Sequence, residues 1–207
     1  MGENVTLSAY ERLLKNLVQF REQYEIFDSN VVKAIETFNS NALKNGASYI
    51  QQKAGKGFGE YVLYLRQKVY GTSRTMGEKL YAVYKKRCKL FDESPKSYNL
   101  TFKSYSELNH PGNSSGKIEL RNPKEAYDTC SFVRAHLISS YPILGQSYSR
   151  LSSAVNDAQR SVMVKDVPEI NVWMKTIGDG IRAVEMPYRS TIRTLDALMA
   201  KLNEQLR

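Results

Sequence analysis

The histidines and cysteines of this chain lack the spacing that metal binding or catalysis requires. Glu107 and His110 form a single Glu-x-x-His pair, whereas a di-iron helical site needs two such pairs and two further glutamates. His136 lies one position from an apolar stripe, which favours a packed role. Cys88 and Cys130 stand alone, without the paired spacing of a zinc or redox motif. The sequence therefore predicts no metal site and no cofactor.

A glycine-rich run is the other feature that could bind a phosphate group, and it reads Gly55-Lys56-Gly57-Phe58-Gly59. Its spacing matches neither the P-loop nor the dinucleotide nor the kinase pattern, and no clear strand precedes it. The four-residue spacing of its outer glycines instead suits the close approach of a neighbouring helix. We therefore expect a protein that is not an enzyme.

The clearest binding signal lies between residues 44 and 89, which hold the whole excess of positive charge. This segment contains eleven of the 30 Lys and Arg residues but two of the 21 acidic residues, so the rest of the chain is balanced. Tyrosines are concentrated in the same segment: Tyr49, Tyr61, Tyr64, Tyr70, Tyr81 and Tyr84. Positive charge beside amphipathic rings can bind anionic lipid headgroups, and it can also bind nucleic acid through phosphates and stacked bases.

The elements that carry this segment follow from the spacing of apolar residues, which recur at every third or fourth position over most of the chain. The first predicted helix covers residues 8–43 and ends at Asn45-Gly46. The second covers residues 47–91, carries the basic segment and contains five glycines. Each glycine costs roughly 1 kcal/mol inside a helix. The second helix is therefore predicted to be bent, broken into pieces or closely packed against a neighbouring backbone.

Two further helices are predicted in the second half of the chain, each with a kink at a proline. One covers residues 123–164, with Asn122 as its N-cap, and is kinked at Pro142; the other covers residues 167–206 and is kinked at Pro187. Between the second and third helices, residues 92–122 change to a polar stretch with prolines and glycines. Apolar and polar residues alternate within it, which indicates a small strand-like excursion.

The simplest way to bury four long apolar stripes is an elongated antiparallel bundle. A length of 207 residues fits one domain, and the balance of apolar and charged residues is that of a globular protein. We therefore expect a mainly α, four-helix bundle over residues 1–207, with long kinked helices. The excursion over residues 92–122 would form a separate contact surface for a protein partner or for self-assembly.

A helical projection of the second helix places its apolar residues in one sector and most of its basic residues opposite. The flank between the two carries tyrosines. The predicted site for an anionic surface therefore consists of Lys53, Lys56, Lys68, Arg74, Lys85, Lys86, Lys89, Tyr70, Tyr81 and Tyr84. If the glycines break the helix, this single face divides into smaller patches.

Three classes of function remain open at this point. The first is a non-enzymatic protein that binds a membrane or lipid surface, the second a nucleic-acid-binding protein of a nucleocapsid-like or nuclear kind, and the third a structural or assembly subunit. The basic face could also serve only solubility. No secretory signal is visible, and no apolar run approaches the roughly 20 residues that span a bilayer. We expect a cytoplasmic protein, peripheral to a membrane in the first case.

Overall fold

The chain is mainly helical, as predicted. The computed structural model describes residues 2–38, 60, 62–100, 122–160 and 165–207. Of these, 87% are helical and none forms a strand, which assigns the described part of the chain to the all-α class. The helical residues form four long stretches, the last of which is divided in two: α1 (Gly2–Phe38), α2 (Gly71–Leu90), α3 (Pro123–Gln159), α4 (Ile170–Ala183) and α5 (Glu185–Gln205).

Helix α1 lies at the centre of the packing, with contacts to both α2 and α3. Its apolar stripe is inaccessible to solvent at Tyr10, Leu14, Leu17, Tyr24 and Val31. Helix α3 packs against α1, α5 and α4, and α4 also packs against α2 and the residues that precede it. The α2 and α3 helices therefore lie on different sides of α1, and each presents its own outer face to solvent.

Helix α2 continues without a break from a π-helical turn, Arg66–Tyr70. The turn closes with a bond from the Gly71 N–H to the Arg66 carbonyl, five residues back, so it contains one residue more than an α-helical turn. Gly71 and Gly77 lie inside the helix without interrupting it. The other three glycines of the predicted second helix lie outside the described residues. Within the described residues, the extra residue of the π-helical turn changes which side chains share a face of the helix. Gly71 and Gly77 do not change it.

Helix α3 begins at the predicted capping signal. The side chain of Asn122 accepts a hydrogen bond of 2.9 Å from the Glu125 N–H, and Pro123 occupies the first turn, where its missing N–H is harmless. The helix then runs through Pro142 to Gln159. A proline deprives the carbonyl four residues earlier of its donor, here that of Ile138. Both Ile138 and Pro142 are exposed, so water can hydrate that carbonyl.

The last predicted helix, 167–206, is two helices rather than one kinked helix. The division falls at Val184, three residues before Pro187. Pro187 has no N–H to donate to the Ala183 carbonyl, so the ladder of hydrogen bonds is interrupted there. It resumes with the bond from the Tyr188 N–H to the Val184 carbonyl, at 3.0 Å.

The strand-like excursion is not found in the part of residues 92–122 that the structure describes. Residues 93–100 form no regular element, and residues 101–121 lie outside the description. Tyr98 and Leu100 pack against the core, while Asn99 accepts a bond of 3.2 Å from Arg21. The alternation of apolar and polar residues here therefore reflects a segment laid over the helices. The predicted contact surface in this region falls largely on residues outside those described.

Candidate functional site

The exposed basic residues of α2 are concentrated at its C-terminal end. Lys85, Lys86 and Lys89 are all exposed, and we call these three residues the lysine cluster. Lys85 and Lys89 are four residues apart and therefore adjacent on the helix surface. Like charges at this spacing destabilise a helix by roughly 0.2 to 0.5 kcal/mol. The interaction of Lys89 with the negative end of the helix dipole, about 0.3 to 1 kcal/mol, is at least as large as this cost, so the helix tolerates the cluster.

No acidic side chain in the described part of the chain pairs with the lysine cluster. The Lys85 ammonium lies 5.2 Å from the centre of the Tyr81 ring, an arrangement that holds it by a cation–π contact. Leu90, which follows the cluster directly, is 75% exposed. Leu90 and the three lysines, which have no acidic partner among the described residues, lie within about one and a half turns of helix. This part of the surface therefore offers a ligand both an apolar and a cationic contact.

The remaining basic residues of α2 are neutralised by acids. Arg74 bonds to Glu78 at 3.2 Å, one turn later on the same helix. Arg87 donates two hydrogen bonds to Asp166, of 2.6 and 2.8 Å. An arginine that is already paired with an acid attracts an external anion only weakly. Within the part of the chain that the structure describes, the lysine cluster is therefore the positive surface of α2 that no acid neutralises.

A second pair, between Lys79 and Glu169, attaches α2 to the start of α4. The Lys79 ammonium also lies 5.8 Å from the centre of the Trp173 ring. The hydrogen bond from Lys79 holds the pKa of the Glu169 carboxyl below its usual value. Together with the Arg87–Asp166 pair, this contact holds the C-terminal half of α2 against residues 166–173. The lysine cluster is therefore presented on a well-supported helix.

The prediction that Tyr70 and Tyr84 edge the exposed basic face is wrong, because both side chains are buried. The Tyr70 hydroxyl donates to Glu25 at 2.9 Å and the Tyr84 hydroxyl to Glu11 at 3.1 Å. Burial raises the pKa of Tyr84. A helical projection places both tyrosines on the flank of the helix. In the structure, α1 and the residues that follow α2 cover this flank. Tyr81 is half-buried and is the one of the three that borders the surface.

The structure brings together only part of the predicted basic site. Lys53 and Lys56 lie outside the described residues. Lys68 is exposed but lies on the π-helical turn, 17 residues before Lys85, which corresponds to roughly 25 Å along a helix. Lys68 and the lysine cluster are thus separate positive points along α2. Any ligand that contacts both must be extended.

Arg66 belongs to the core and contributes no positive charge to the surface. It is 1% exposed and forms a bidentate ion pair with Asp28, with distances of 2.7 and 2.8 Å. Among the described residues, neither the remaining Arg66 nitrogen, Nη1, nor the neighbouring Tyr24 hydroxyl has a hydrogen-bond partner. Burial and the nearby Asp28 carboxylate raise the pKa of Tyr24. The pair is a polar layer inside the apolar contact between α1 and the π-helical turn.

A signal for this buried pair was present in the sequence. Asp28 occupies a position of the α1 stripe, four residues after Tyr24 and three before Val31. An acid on a buried stripe requires a cationic partner, because a buried carboxylate without one is strongly destabilising. Which of the many basic residues would supply that partner could not be read from the spacing.

The residues considered for metal binding or catalysis do not assemble into a site in the described part of the chain. No group of three His, Cys, Asp or Glu side chains lies close enough together there to hold a metal ion. His136 packs against Phe132, with 4.2 Å between ring centres. Cys88 and Cys130 are buried, and burial raises the pKa of Cys130 to about 11, which keeps it a protonated, weakly nucleophilic thiol. Glu107 and His110 lie outside the described residues.

None of the helices in the described ranges combines the length and the apolar character needed to cross a bilayer. Comparisons with protein-family models, with curated proteins and with solved structures found no match to this chain. The function must therefore be inferred from the surfaces of the molecule itself.

Proposed function

We propose that this chain is a non-enzymatic helical protein that binds an anionic membrane surface through the lysine cluster of α2. The observation that carries the proposal is the set of three exposed lysines without an acidic partner among the described residues, directly followed by a leucine that is 75% exposed. Lysines attract anionic headgroups, and an exposed leucine gains free energy when it enters the boundary of the acyl chains. In this proposal the protein acts at the cytoplasmic face of a membrane.

The expected binding is reversible rather than permanent. Each lysine near an anionic surface contributes ~1 kcal/mol, and full burial of a leucine side chain contributes about 1.5 to 3 kcal/mol. The sum, roughly 5 kcal/mol, corresponds to a sub-millimolar affinity for one molecule. Stable attachment would need a second contact or a second copy.

We propose that the helices that support the lysine cluster form an antiparallel bundle. Residue numbers run in opposite directions along the α1–α3 contact, since Arg12 pairs with Asp157 and Asn30 donates to Ser140. The same holds between α1 and the α2 region, where Glu11 contacts Tyr84 and Asp28 contacts Arg66. The lysine cluster would then lie at one end of the bundle, beside the first turns of α1.

Lipid is favoured over nucleic acid because of which aromatic rings are accessible. Non-specific binding of single strands uses exposed rings on which bases stack. Two of the three predicted tyrosines are buried, and Tyr81 already contacts Lys85. Leu90, by contrast, offers nothing to a phosphate backbone and suits an acyl boundary. The exposed leucine is the residue that separates the two alternatives.

Cosedimentation with vesicles of graded phosphatidylserine content tests the proposal. The triple substitution Lys85→Glu, Lys86→Glu and Lys89→Glu should weaken binding at low salt by at least roughly 100-fold, because about 3 kcal/mol of attraction is lost. A matched control reverses three exposed basic residues elsewhere, Lys15, Arg150 and Lys175, and changes the net charge equally. Equal losses in both variants would show that only net charge matters and would refute the assigned site.

The substitution Leu90→Ser distinguishes lipid from nucleic acid. It should weaken vesicle binding about tenfold, because the apolar contribution is lost while the three lysines remain. Binding of a mixed-sequence oligonucleotide, if present, should not change. A chain that binds the oligonucleotide tightly, loses affinity steeply with salt, and ignores vesicles would support the nucleic-acid alternative instead.

A further inference from the structure

The outer face of α3 carries no charge over six turns. Between Asp128 and Arg150, the exposed positions of this helix are occupied by serine, glutamine and apolar residues only. Phe132 is 54% exposed and Ile138 37% exposed. Arg134, which lies at the side of the helix, is paired with Asp196 of α5 at 2.6 Å. We call the exposed positions from Ser131 to Ser149 the α3 face.

The other long helices show that this lack of charge is not general. The exposed face of α5 carries Arg189, Arg193, Asp196 and Lys201, and that of α2 carries the lysine cluster. Cores of protein–protein interfaces are depleted of charged residues and enriched in aromatic ones, because a buried charge must be desolvated. The α3 face has both properties, with Phe132 as its aromatic residue. It therefore has the composition of a contact surface.

We propose that the α3 face binds the same face of a second copy of this chain and forms a two-fold symmetric dimer. Charge complementarity supports this occupant. A strongly acidic or basic partner would find no opposite charge on the α3 face, whereas an identical face is equally uncharged. Serine hydroxyls both donate and accept hydrogen bonds, so they can pair with themselves across a two-fold axis.

The electrostatics of the whole chain point to the same arrangement. Two copies with a formal charge of +9 each repel one another, most strongly if their basic regions meet. Because α2 and α3 lie on different sides of α1, contact through the α3 face separates the two lysine clusters and leaves both exposed. The dimer would therefore present two copies of the proposed lipid site.

The centre of the α3 face allows two helices to approach closely. Ala135 and Ser139 are both small, exposed and four residues apart, so they lie on one line along the helix. Phe132 and Ile138 flank this line and can pack against the opposite copy. The ring of His136 supports Phe132 from the same helix. Small residues at the line of contact with larger ones beside it are suited to helix–helix packing.

The size of the α3 face determines how tightly the two copies are expected to bind one another. Ser131 to Ser149 extend over about 27 Å of helix. Eight exposed residues on this face are fewer than the roughly 20 to 30 residues per partner of a standard interface, so the dimer should be weak. Concentration of the protein on a membrane would favour it.

Sedimentation of the purified full chain over a concentration series tests the inference. The wild-type chain should shift from monomer toward dimer by about 100 µM, the range expected of a small interface. Ala135→Arg should leave the chain monomeric at the same concentration, because it places a charge at the centre of the contact. The matched control is Ala200→Arg, at an exposed alanine of α5, which should dimerise as the wild type does. A monomeric wild type, or a dimer that persists in Ala135→Arg, overturns the inference.

Two further readouts separate this inference from the proposed lipid binding. Dimerisation should be unchanged or stronger when salt rises from about 50 to about 500 mM, since salt screens the repulsion between like-charged copies. Vesicle binding should weaken over the same range. With Ser139→Cys, a short bifunctional maleimide should join two copies, because the introduced cysteines face one another; with Ala200→Cys it should not. A chain that binds vesicles but never dimerises refutes the dimer alone.

Discussion

The exposed faces of α2 and α3 lie on different sides of the same central helix and differ in almost every surface property. The end of α2 carries three lysines without an acidic partner in the described part of the chain, and the α3 face carries no charge between Asp128 and Arg150. Both helices bury their apolar stripes in one core. The difference therefore cannot arise from folding requirements. In the functions proposed above, the end of α2 meets an anionic surface and the α3 face meets a second copy of this chain.

The comparison also shows how poorly a count of basic residues describes a surface. Of the basic residues from Arg66 to Lys89, Arg66 is buried in an ion pair and Arg74, Lys79 and Arg87 are matched by acids. Among the described residues of this segment, the positive charge that is not matched by acids is therefore limited to Lys68 on the π-helical turn and to the lysine cluster at the C-terminal end of α2.

The largest expected effect on stability concerns Arg66, whose charge lies in the core and not on the basic surface. Asp28→Ala should lower the free energy of unfolding by about 3 to 5 kcal/mol, because it leaves a buried guanidinium without its partner. The double variant Asp28→Leu, Arg66→Met should recover most of that loss. Urea denaturation measures both. A loss below about 1 kcal/mol in the single variant would mean that the pair is accessible to water, and Arg66 would then count toward the basic surface.

A smaller effect on stability is expected when a glycine of α4 and a glycine of α3 are each replaced by alanine. A Cβ on Gly180 of α4 would lie 2.5 Å from Val69 Cγ2, so Gly180→Ala should cost about 1 to 3 kcal/mol through overpacking against the residues that lead into α2. Gly145 of α3 is the matched control, because a Cβ there meets nothing within 4 Å. Gly145→Ala should instead stabilise by about 0.5 to 1 kcal/mol. Thermal denaturation of the two variants should shift in opposite directions.

The start of α3 offers a third test, which asks how far the stability of this helix depends on its cap. Asn122→Ala should cost about 1 kcal/mol, because the Glu125 N–H loses its acceptor. Asn122→Asp should retain stability, since a carboxylate accepts the same bond and interacts well with the helix N-terminus. Equal stability of the alanine variant and the wild type would show that water replaces the cap. Neither change should affect vesicle binding.

The last expected effect is a dependence of stability on alkaline pH that follows from Cys130. Its thiol has a pKa of about 11 in the folded chain, above the ordinary value of 9.0, because burial disfavours the thiolate. The folded state therefore retains a proton that the unfolded state loses, and stability should decline as pH rises from about 9 to about 11. Cys130→Ser should flatten part of this decline in urea denaturation series. An unchanged slope would assign the dependence to buried tyrosines such as Tyr24.

Much of the fold was predictable because helix signals are local. The four helical stretches follow from apolar spacing, and the start of α3 follows from Asn122 and Pro123, which act within one turn of helix. The division at Val184 was predicted only as a kink at Pro187, since the sequence shows the missing N–H but not how the neighbouring turns adjust. The burial of Tyr70 and Tyr84 was missed because it depends on α1 and on residues 93–100.

The sequence by itself determined the helical class, the location of the charge excess along the chain, and the lack of Asp, Glu, Lys and Arg over residues 135–149 of α3. These are properties of residue type and of spacing within single helices. Only the tertiary structure decided which basic residues are matched by acids, that Arg66 lies in the core opposite Asp28, and that Lys85, Lys86 and Lys89 remain without an acidic partner among the described residues. The reason is physical. An ion pair between helices forms where packing brings two side chains within about 4 Å, and no pattern within one helix specifies that distance.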